Sequence, residues 1–506
     1  MKTLVAVLLG TMGAALSVNG SDIPEKDRYF AITVVDSETG RGVPLVELKT
    51  VNGVSHVTDS AGIVAFDEPG LMGKDVFFYV SSHGYEYPKD GFGFRGKSLK
   101  VIPGGSAKLT IRRINIAQRL YRITGGGIYR DSLLVGAKPP LQEPALNSLV
   151  FGSDSVMNAL YRGKIYWFWG DTNRPAYPLG NFHVPGATSE LPEKGGMDPE
   201  AGVDLSYWVD DKGFAKPTAK MPGKGPTWLT TVIALPGQDE IRLMGSYIQI
   251  EPPMKVYARG LAVFNDATSQ FDVLCKVDLQ SPAFPAGHTF RHKDEGVDHV
   301  YFSHPFPTLR VRATVQDFSK IENYESFTCL KEGARDKQYN RDPKGRVRYA
   351  WQKNTPAVNQ REENQLLADG VLQPAEARWQ LRDRATGKPV QAHAGSVYWN
   401  DFRRRWIMLF VQTGGTSFLG EVWYAEAEHP TGPWTDAVKV VTHDKYSFYN
   451  PKQHPMFDKA GGRFIFFEGT YTHTFSGNPA QTPRYDYNQI MYMLDLADSR
   501  LTSPKR

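Results

Sequence analysis

From residue 145 to 498 the chain repeats one local pattern, an apolar strand, a tight polar or glycine turn, and a second apolar strand. Clear units are 153–161 with 164–171, then 395–399 with 406–412 and 421–426, then 453–457 with 463–468 and 489–494. Two blurrier units fill 232–273 and 299–327. Strand-turn repetition at this length, without a βα alternation, restricts the chain to a sandwich or a propeller. About five four-stranded units is the arithmetic of a five-bladed β-propeller. The units share little sequence, so the self-similarity is architectural. One helical stretch, 359–381, reads as an insertion between blades.

The N-terminal third differs. Short alternating strands at 30–35, 46–49, 62–66, 76–80 and 108–111 are separated by turns such as Asp36-Ser-Glu-Thr-Gly40. The run Val57-Thr-Asp-Ser-Ala-Gly-Ile-Val-Ala-Phe66 resembles the turn-then-strand signature of carboxypeptidase-regulatory, transthyretin-like β-sandwiches. The expected organisation is a signal peptide at 1–20, a sandwich at 28–113, a linker at 114–144 marked by Gly125-Gly-Gly127 and Pro139-Pro140, and the propeller at 145–498. The fold class is thus all-β, with the sandwich a separable module.

Lys2 followed by the apolar stretch 4–16 and small residues before Ser21 has the form of a secretory leader. The stretch is too short for a spanning helix, and no second one follows, so a secreted or periplasmic protein is expected. A net charge of +5 on 506 residues leaves no dominant field for nucleic acid or a membrane surface. The two cysteines, Cys275 and Cys329, are too few for a thiolate zinc cluster. They fall one repeat apart at the ends of strand-like runs, where outer strands diverge, so two free buried thiols are expected. The 12 histidines show no helical ligand spacing. No cofactor and no metal site are expected, a structural calcium being left open.

The chemistry concentrates in the hairpin 151–173. If Arg162-Gly163 is a two-residue turn, Tyr161 faces Lys164, and counting outward sets Asp154 opposite Asp171. Two like charges in directly opposed positions are unfavourable, and one of them tends to hold a proton. Paired carboxylates in that state suit acid/base chemistry such as glycoside hydrolysis. The competing readings are a bulge that leaves both acids as solvated loop residues, and a shared structural cation. Both acids fall at the mouth of a propeller funnel. The same topology sets His454 and Glu468 there from the fifth unit, and His393 and Glu421 from the fourth. Glu421, after the glycine-rich loop 413–420, is the expected general acid with inversion, and Glu468 a sugar-hydroxyl or His454 partner. The bland reading of Glu421 is a surface ion pair.

The elements Gly152-x-Asp154 and Gly163-Lys-x-Tyr166-x-Phe-x-Gly170-Asp171-Thr172 resemble the opening of five-bladed propeller glycosidases. They are closer still to the domain-of-unknown-function propellers that include endo-D-arabinanases. Glu421-Val-Trp-Tyr-Ala-x-Ala427, Pro430-x-Gly432-Pro-Trp434 and Asn488-Gln-Ile-Met-Tyr-x-Leu494 resemble their later strands and turns. The resemblance implies that Asp154 and Asp171 are active-site acids. It covers about 145–496, leaves 205–390 unmatched, and carries no substrate.

Trp228, Tyr177 and Phe182 sit in glycine- and proline-rich loops and are candidate sugar platforms, with Arg174 beside them, whereas Trp167 and Trp169 alternate on a strand and read as core. The substrate-binding candidates are therefore His393, His454, Trp228, Tyr177 and Arg174, and the partner is a polysaccharide or oligosaccharide. Two alternatives stand beside hydrolysis. One is a polysaccharide lyase using Tyr301, His304 and Arg310 on a uronate, with His299 and Arg312 nearby. The other is a glycan-binding propeller without chemistry.

Overall fold

A computed structural model describes residues 25–484 and 486–502, so the expected leader at 1–20 lies outside the described residues. Its strands form an N-terminal β-sandwich followed by a five-bladed β-propeller, the fold class expected. No helix among the described residues is long and apolar enough to cross a membrane.

One sandwich sheet holds Phe30–Asp36 between Ile63–Phe66 and Ser106–Arg113, with Tyr85–Glu86 at its edge. The other runs Ser55–Val57, Glu47–Thr50, Asp75–Ser81, Gly96–Lys100. Alternation puts Ile32, Val34, Leu48, Val64, Phe66 and Phe78 between the sheets, all essentially without solvent contact. Each such side chain contributes about 1.5–3 kcal/mol by leaving water.

Blade one is Val156–Tyr161, Lys164–Trp169, Gly186–Ser189 and Ser206–Tyr207. Blade two is Thr227–Pro236, Ile241–Glu251, Lys255–Asn265 and Gln270–Lys276. Blade three adds a fifth strand, Ala350–Lys353, outside Glu325–Thr328, and starts with His288–Asp294 and Val297–Ser303. Blade four begins with Ala392–Asn400 and Arg405–Gln412, and blade five with Ser447–Gln453, Phe464–Thr472 and Asn488–Asp495. Trp167 and Trp169 stack 6.1 Å apart in the core between blades. Between blades three and four, the helix Gln360–Ala368 starts from an Asn359–Glu362 capping box.

The stretch read as a linker needs correcting. Gln118–Arg122 is the outermost strand of blade five, paired antiparallel with Asn488–Asp495. The ring therefore closes with a strand from before blade one, which covers the outer side of Asn488–Asp495. The sandwich is also fastened to the propeller. Asp59 accepts from the Ser132 amide and hydroxyl, each at 2.7 Å. Tyr471 of blade five is 2.8 Å from the His83 ring, and Leu45 enters the core of blades four and five. Both cysteines are free; Cys329 is buried and Cys275 half-buried.

Candidate functional site

The hairpin of blade one follows the register set by its turn. Arg162 and Gly163 both take positive φ, 49° and 79°, as a type I′ turn requires. Tyr161 then pairs with Lys164, and the ladder runs without slippage to Val156 opposite Trp169. It resumes in the same register at Ser153 opposite Thr172, beyond a short break. In the break the Asp154 amide donates to the Asp171 carbonyl at 2.9 Å, so the two aspartates face one another across the hairpin. The approach at Gly170 is close, an added Cβ standing 3.2 Å from the Cβ of Asp154.

Both carboxylates line a cavity of about 280 Å³ at the funnel mouth, where inner strands begin and second strands end. Blade one supplies Asp154, Trp169 and Asp171; blade two supplies Trp228 and Thr230; His288 and His304 come from blade three, and Asn450 from blade five. Asp171 accepts from the Trp228 indole N–H at 2.9 Å. Burial pushes the Asp171 carboxyl up to about 6; the indole opposes this and the Asp154 charge adds to it. Burial also raises Asp154, against the Ser155 hydroxyl, which donates to it at 2.7 Å. Asn450 in turn donates to that Ser155 hydroxyl at 2.5 Å.

Other expected site residues lie elsewhere. Glu421 opens the third strand of blade four and does not line the cavity. Its carboxylate is buried in its own loop, accepting from the Thr416 amide and hydroxyl and from the Thr442 hydroxyl. In the glycine-rich loop that promised access to a ligand, Gly415 abuts this carboxylate instead, for a Cβ there would overlap it at 1.7 Å. The general-acid role, and inversion through it, are therefore corrected.

Glu468 and His454 are not at the mouth either. The second strand of blade five continues past Glu468 to Thr472, and His454 follows the first strand rather than starting it. Both are fully buried below the cavity, His454 Nε2 being 3.4 Å from Glu468 Oε2. Asn158 meets the other His454 ring nitrogen at 3.0 Å, and Lys452 pairs across the ladder with Glu468. Burial pushes Glu468 up to about 8 and Lys452 down to about 7. Neither His454 nor Glu468 is placed to touch a ligand in the cavity.

Trp228 lines the cavity as expected of a platform, and His393 stands exposed at the rim, its ring 6.2 Å from that of His304. Tyr177 projects, 61% exposed, from a hairpin above blade one and does not line the cavity. Arg174 is turned onto the Phe214 ring at 5.8 Å and is likewise outside it. Among the lyase candidates, Tyr301 is buried, and Arg310 is bound to Glu325 at 2.8 Å and lies on the Trp351 ring. Only His304 of that set lines the cavity. His288 and Asn450 were missed by sequence reasoning. The one local signal for His288 is Gly287, whose φ of +98° and crowding against the Ser303 carbonyl exclude a side chain. Among the described residues no group of three His, Cys, Asp or Glu is arranged to hold a metal ion.

No protein-family model matches the chain, and the search of curated proteins finds no match. Solved structures similar to it include an exo-β-1,3-galactanase from Phanerochaete chrysosporium with β-1,3-galactotriose, at 9% identity and a TM-score of 0.37. That match covers 74% of this chain and 65% of the other. A GH43_1 enzyme from Xanthomonas citri matches at 11% identity and a TM-score of 0.31, over 68% of this chain and 88% of that one. CoXyl43, a β-xylosidase/α-arabinofuranosidase from a compost microbial metagenome, matches at 11% identity and 0.32, over 68% and 91%. At such identities and scores, residue roles rest on this chain's own geometry.

Proposed function

We propose that the protein is a glycoside hydrolase acting on a polysaccharide or oligosaccharide after export. The observation that carries this reading is the opposed pair Asp154 and Asp171 in a funnel cavity, one of them held near 6. Hydrolysis of a glycosidic bond needs one carboxyl that gives a proton to the leaving oxygen and one that stays ionised to activate water or the sugar carbon. Asp171, with a single donor and a raised pKa, is the proton donor in this assignment. Asp154, with the Ser155 hydroxyl backed by Asn450, is the ionised partner. The Trp228 ring beside Asp171 offers an apolar face to a sugar. The lyase reading loses its support, because Tyr301 and Arg310 are engaged away from the cavity.

The test is turnover on a polysaccharide panel, reading reducing ends and ultraviolet absorbance together. New reducing ends without an absorbing product are expected. Asp154→Asn and Asp171→Asn should each lower the rate by about 10²–10⁴-fold with unchanged circular dichroism. Wild-type rates in both variants would show the assignment to be wrong, an absorbing product would indicate a lyase, and binding without turnover a lectin-like propeller.

A further inference from the structure

The funnel cavity has two chemically different sides, and strand alternation makes them. In the blade-one hairpin Met157 and Phe168 oppose one another and share a face. They pack with Val184, and with Leu229 of blade two, in one apolar cluster. Ile248, opposite Trp228 in the blade-two ladder, joins them in lining the cavity. Asp154 and Ser155 are tied instead to blade five. There the Ser155 amide donates to the Thr470 hydroxyl at 2.8 Å, and Asn450 donates to the Ser155 hydroxyl. The polar groups that border the apolar side are already engaged. The Trp228 indole donates to Asp171. The Thr230 hydroxyl lies 2.7 Å from that of Ser246 and 3.2 Å from the Pro285 carbonyl, and the Gly287 amide donates to the Thr230 carbonyl at 2.8 Å. A sugar hydroxyl turned to this side loses its water and finds these donors taken, which costs free energy.

Charge restricts the ligand further. Two aspartates line the cavity, and no lysine or arginine is among the lining residues. Its two histidines supply no compensating charge. Burial pushes His304 down to about 4, with His393 adding to the effect, and burial holds His288 well below the ordinary imidazole range. Arg310 is bound to Glu325, and Lys452 donates to the Tyr398 hydroxyl at 2.8 Å; neither lines the cavity.

We infer that the cavity takes an uncharged sugar that turns a methyl group toward blade two, so that the substrate contains 6-deoxyhexose units. The hydroxyls of the sugar face Asp154, Asp171 and Asn450, and its C5 methyl faces Met157, Phe168, Leu229 and Ile248. A volume of about 280 Å³, near the lower end of ligand pockets at about 300 Å³, suits one such ring. A uronate in the same place would add a third carboxylate to two aspartates, with no cation among the lining residues to offset it. A hydroxymethyl group in place of the methyl would be pressed against side chains that offer it no hydrogen bond. As a statement about substrate, the inference rests on the hydrolase reading; as a statement about ligand, it rests on the cavity.

The experiment titrates the full chain with sugars that differ only at C6, read by tryptophan fluorescence, since Trp228 lines the cavity. The series are D-fucose, D-galactose and D-galacturonate; D-quinovose, D-glucose and D-glucuronate; and L-rhamnose with L-mannose. In at least one series the 6-deoxy member should bind about 10–100-fold tighter than its hydroxymethyl counterpart, and the uronates should not bind detectably. Met157→Gln and Ile248→Thr, at two half-buried positions of the apolar side, should each narrow that ratio several-fold. Equal or tighter binding of a hydroxymethyl sugar or a uronate in every series, or binding of no sugar at all, would overturn the inference. An unchanged ratio in both variants, with unchanged circular dichroism, would overturn it too. Polymers containing 6-deoxyhexose are then added to the polysaccharide panel. The expected binding order without new reducing ends from any of them would sink hydrolysis and leave the ligand class standing. New ends accompanied by the wrong binding order would leave hydrolysis standing and overturn the ligand class.

Discussion

Replacing Trp228 with Phe should move the titration of Asp171 upward. The indole N–H donates to the Asp171 carboxylate at 2.9 Å, the one hydrogen bond that holds this group down against burial and the Asp154 charge. A hydrogen bond to a charged acceptor contributes about 1.5–3 kcal/mol, and the site is partly open to water, so the lower half of that range applies. At about 1.36 kcal/mol per pKa unit, losing about 1.5–2 kcal/mol raises the pKa by about 1–1.5 units. From about 6, the carboxyl would then titrate above 7. If Asp171 gives the proton, the alkaline limb of kcat against pH moves up by that amount, because the protonated form persists to higher pH. Carbon-13 spectra of aspartate-labelled protein read the same titration directly. They also allow a control of opposite sign. Asp154→Asn removes the neighbouring charge and should move Asp171 down, even in an inactive protein. A limb that stays in place in Trp228→Phe would refute the assignment of the proton to Asp171. A downward shift in the carbon spectrum would refute the electrostatic account itself.

Glu468→Gln should change how stability depends on pH. Burial raises the folded-state pKa of Glu468 from 4.5 to about 8, so its contribution is present at low pH and is lost as pH rises through about 8. Lys452, lowered to about 7, works in the opposite direction above that pH. The melting temperature of the variant relative to wild type should therefore rise between pH 5 and 8, and parallel melting curves at both pH values would exclude the titration. The sandwich and propeller should melt together in calorimetry, given Asp59 on Ser132, Leu45 in the propeller core and the blade-five strand that follows the sandwich directly. Two resolved transitions would show the sandwich to be separable after all.

The fold was legible because strand and turn signals alternate in nearly every unit, and the hairpin register because Arg162-Gly163 admits one turn type. Both are local properties. What escaped is non-local or irregular. Gln118–Arg122 pairs with residues near Asn488, and nothing within its own neighbourhood announces a partner so distant in sequence. Ser447–Gln453 contains Asn450-Pro451 and a register shift between Tyr449 and Lys452, so its alternation is broken and the strand was placed too late. That displacement put His454 and Glu468 at the wrong end of the blade. Trp228 was found as a loop aromatic, but its hydrogen bond to Asp171 joins two blades and leaves no trace in either segment.

The four candidate acids also show why position alone could not sort them. An ionised carboxylate in a partly dry site is stabilised by the donors around it, and each missing donor favours the protonated form. Glu421 has the Thr416 amide, the Thr416 hydroxyl and the Thr442 hydroxyl, and its oxygens are occupied. Glu468 has no hydrogen bond on either oxygen among the described residues, and its pKa rises to about 8 with no route to a ligand. Asp154 and Asp171 lie between these extremes, with enough donors to remain ionisable and enough free lone pairs to engage a substrate. Of the four, these two line the funnel cavity. In the proposed assignment, fine differences within the pair divide the labour. The Ser155 hydroxyl, itself held by Asn450, favours charge on Asp154, while Asp171 keeps a single indole donor and is raised to about 6. A sequence gives the acids and their strand positions, but the donors come from Ser155, Thr416, Thr442 and Trp228, and no local pattern encodes their aim at these carboxylates.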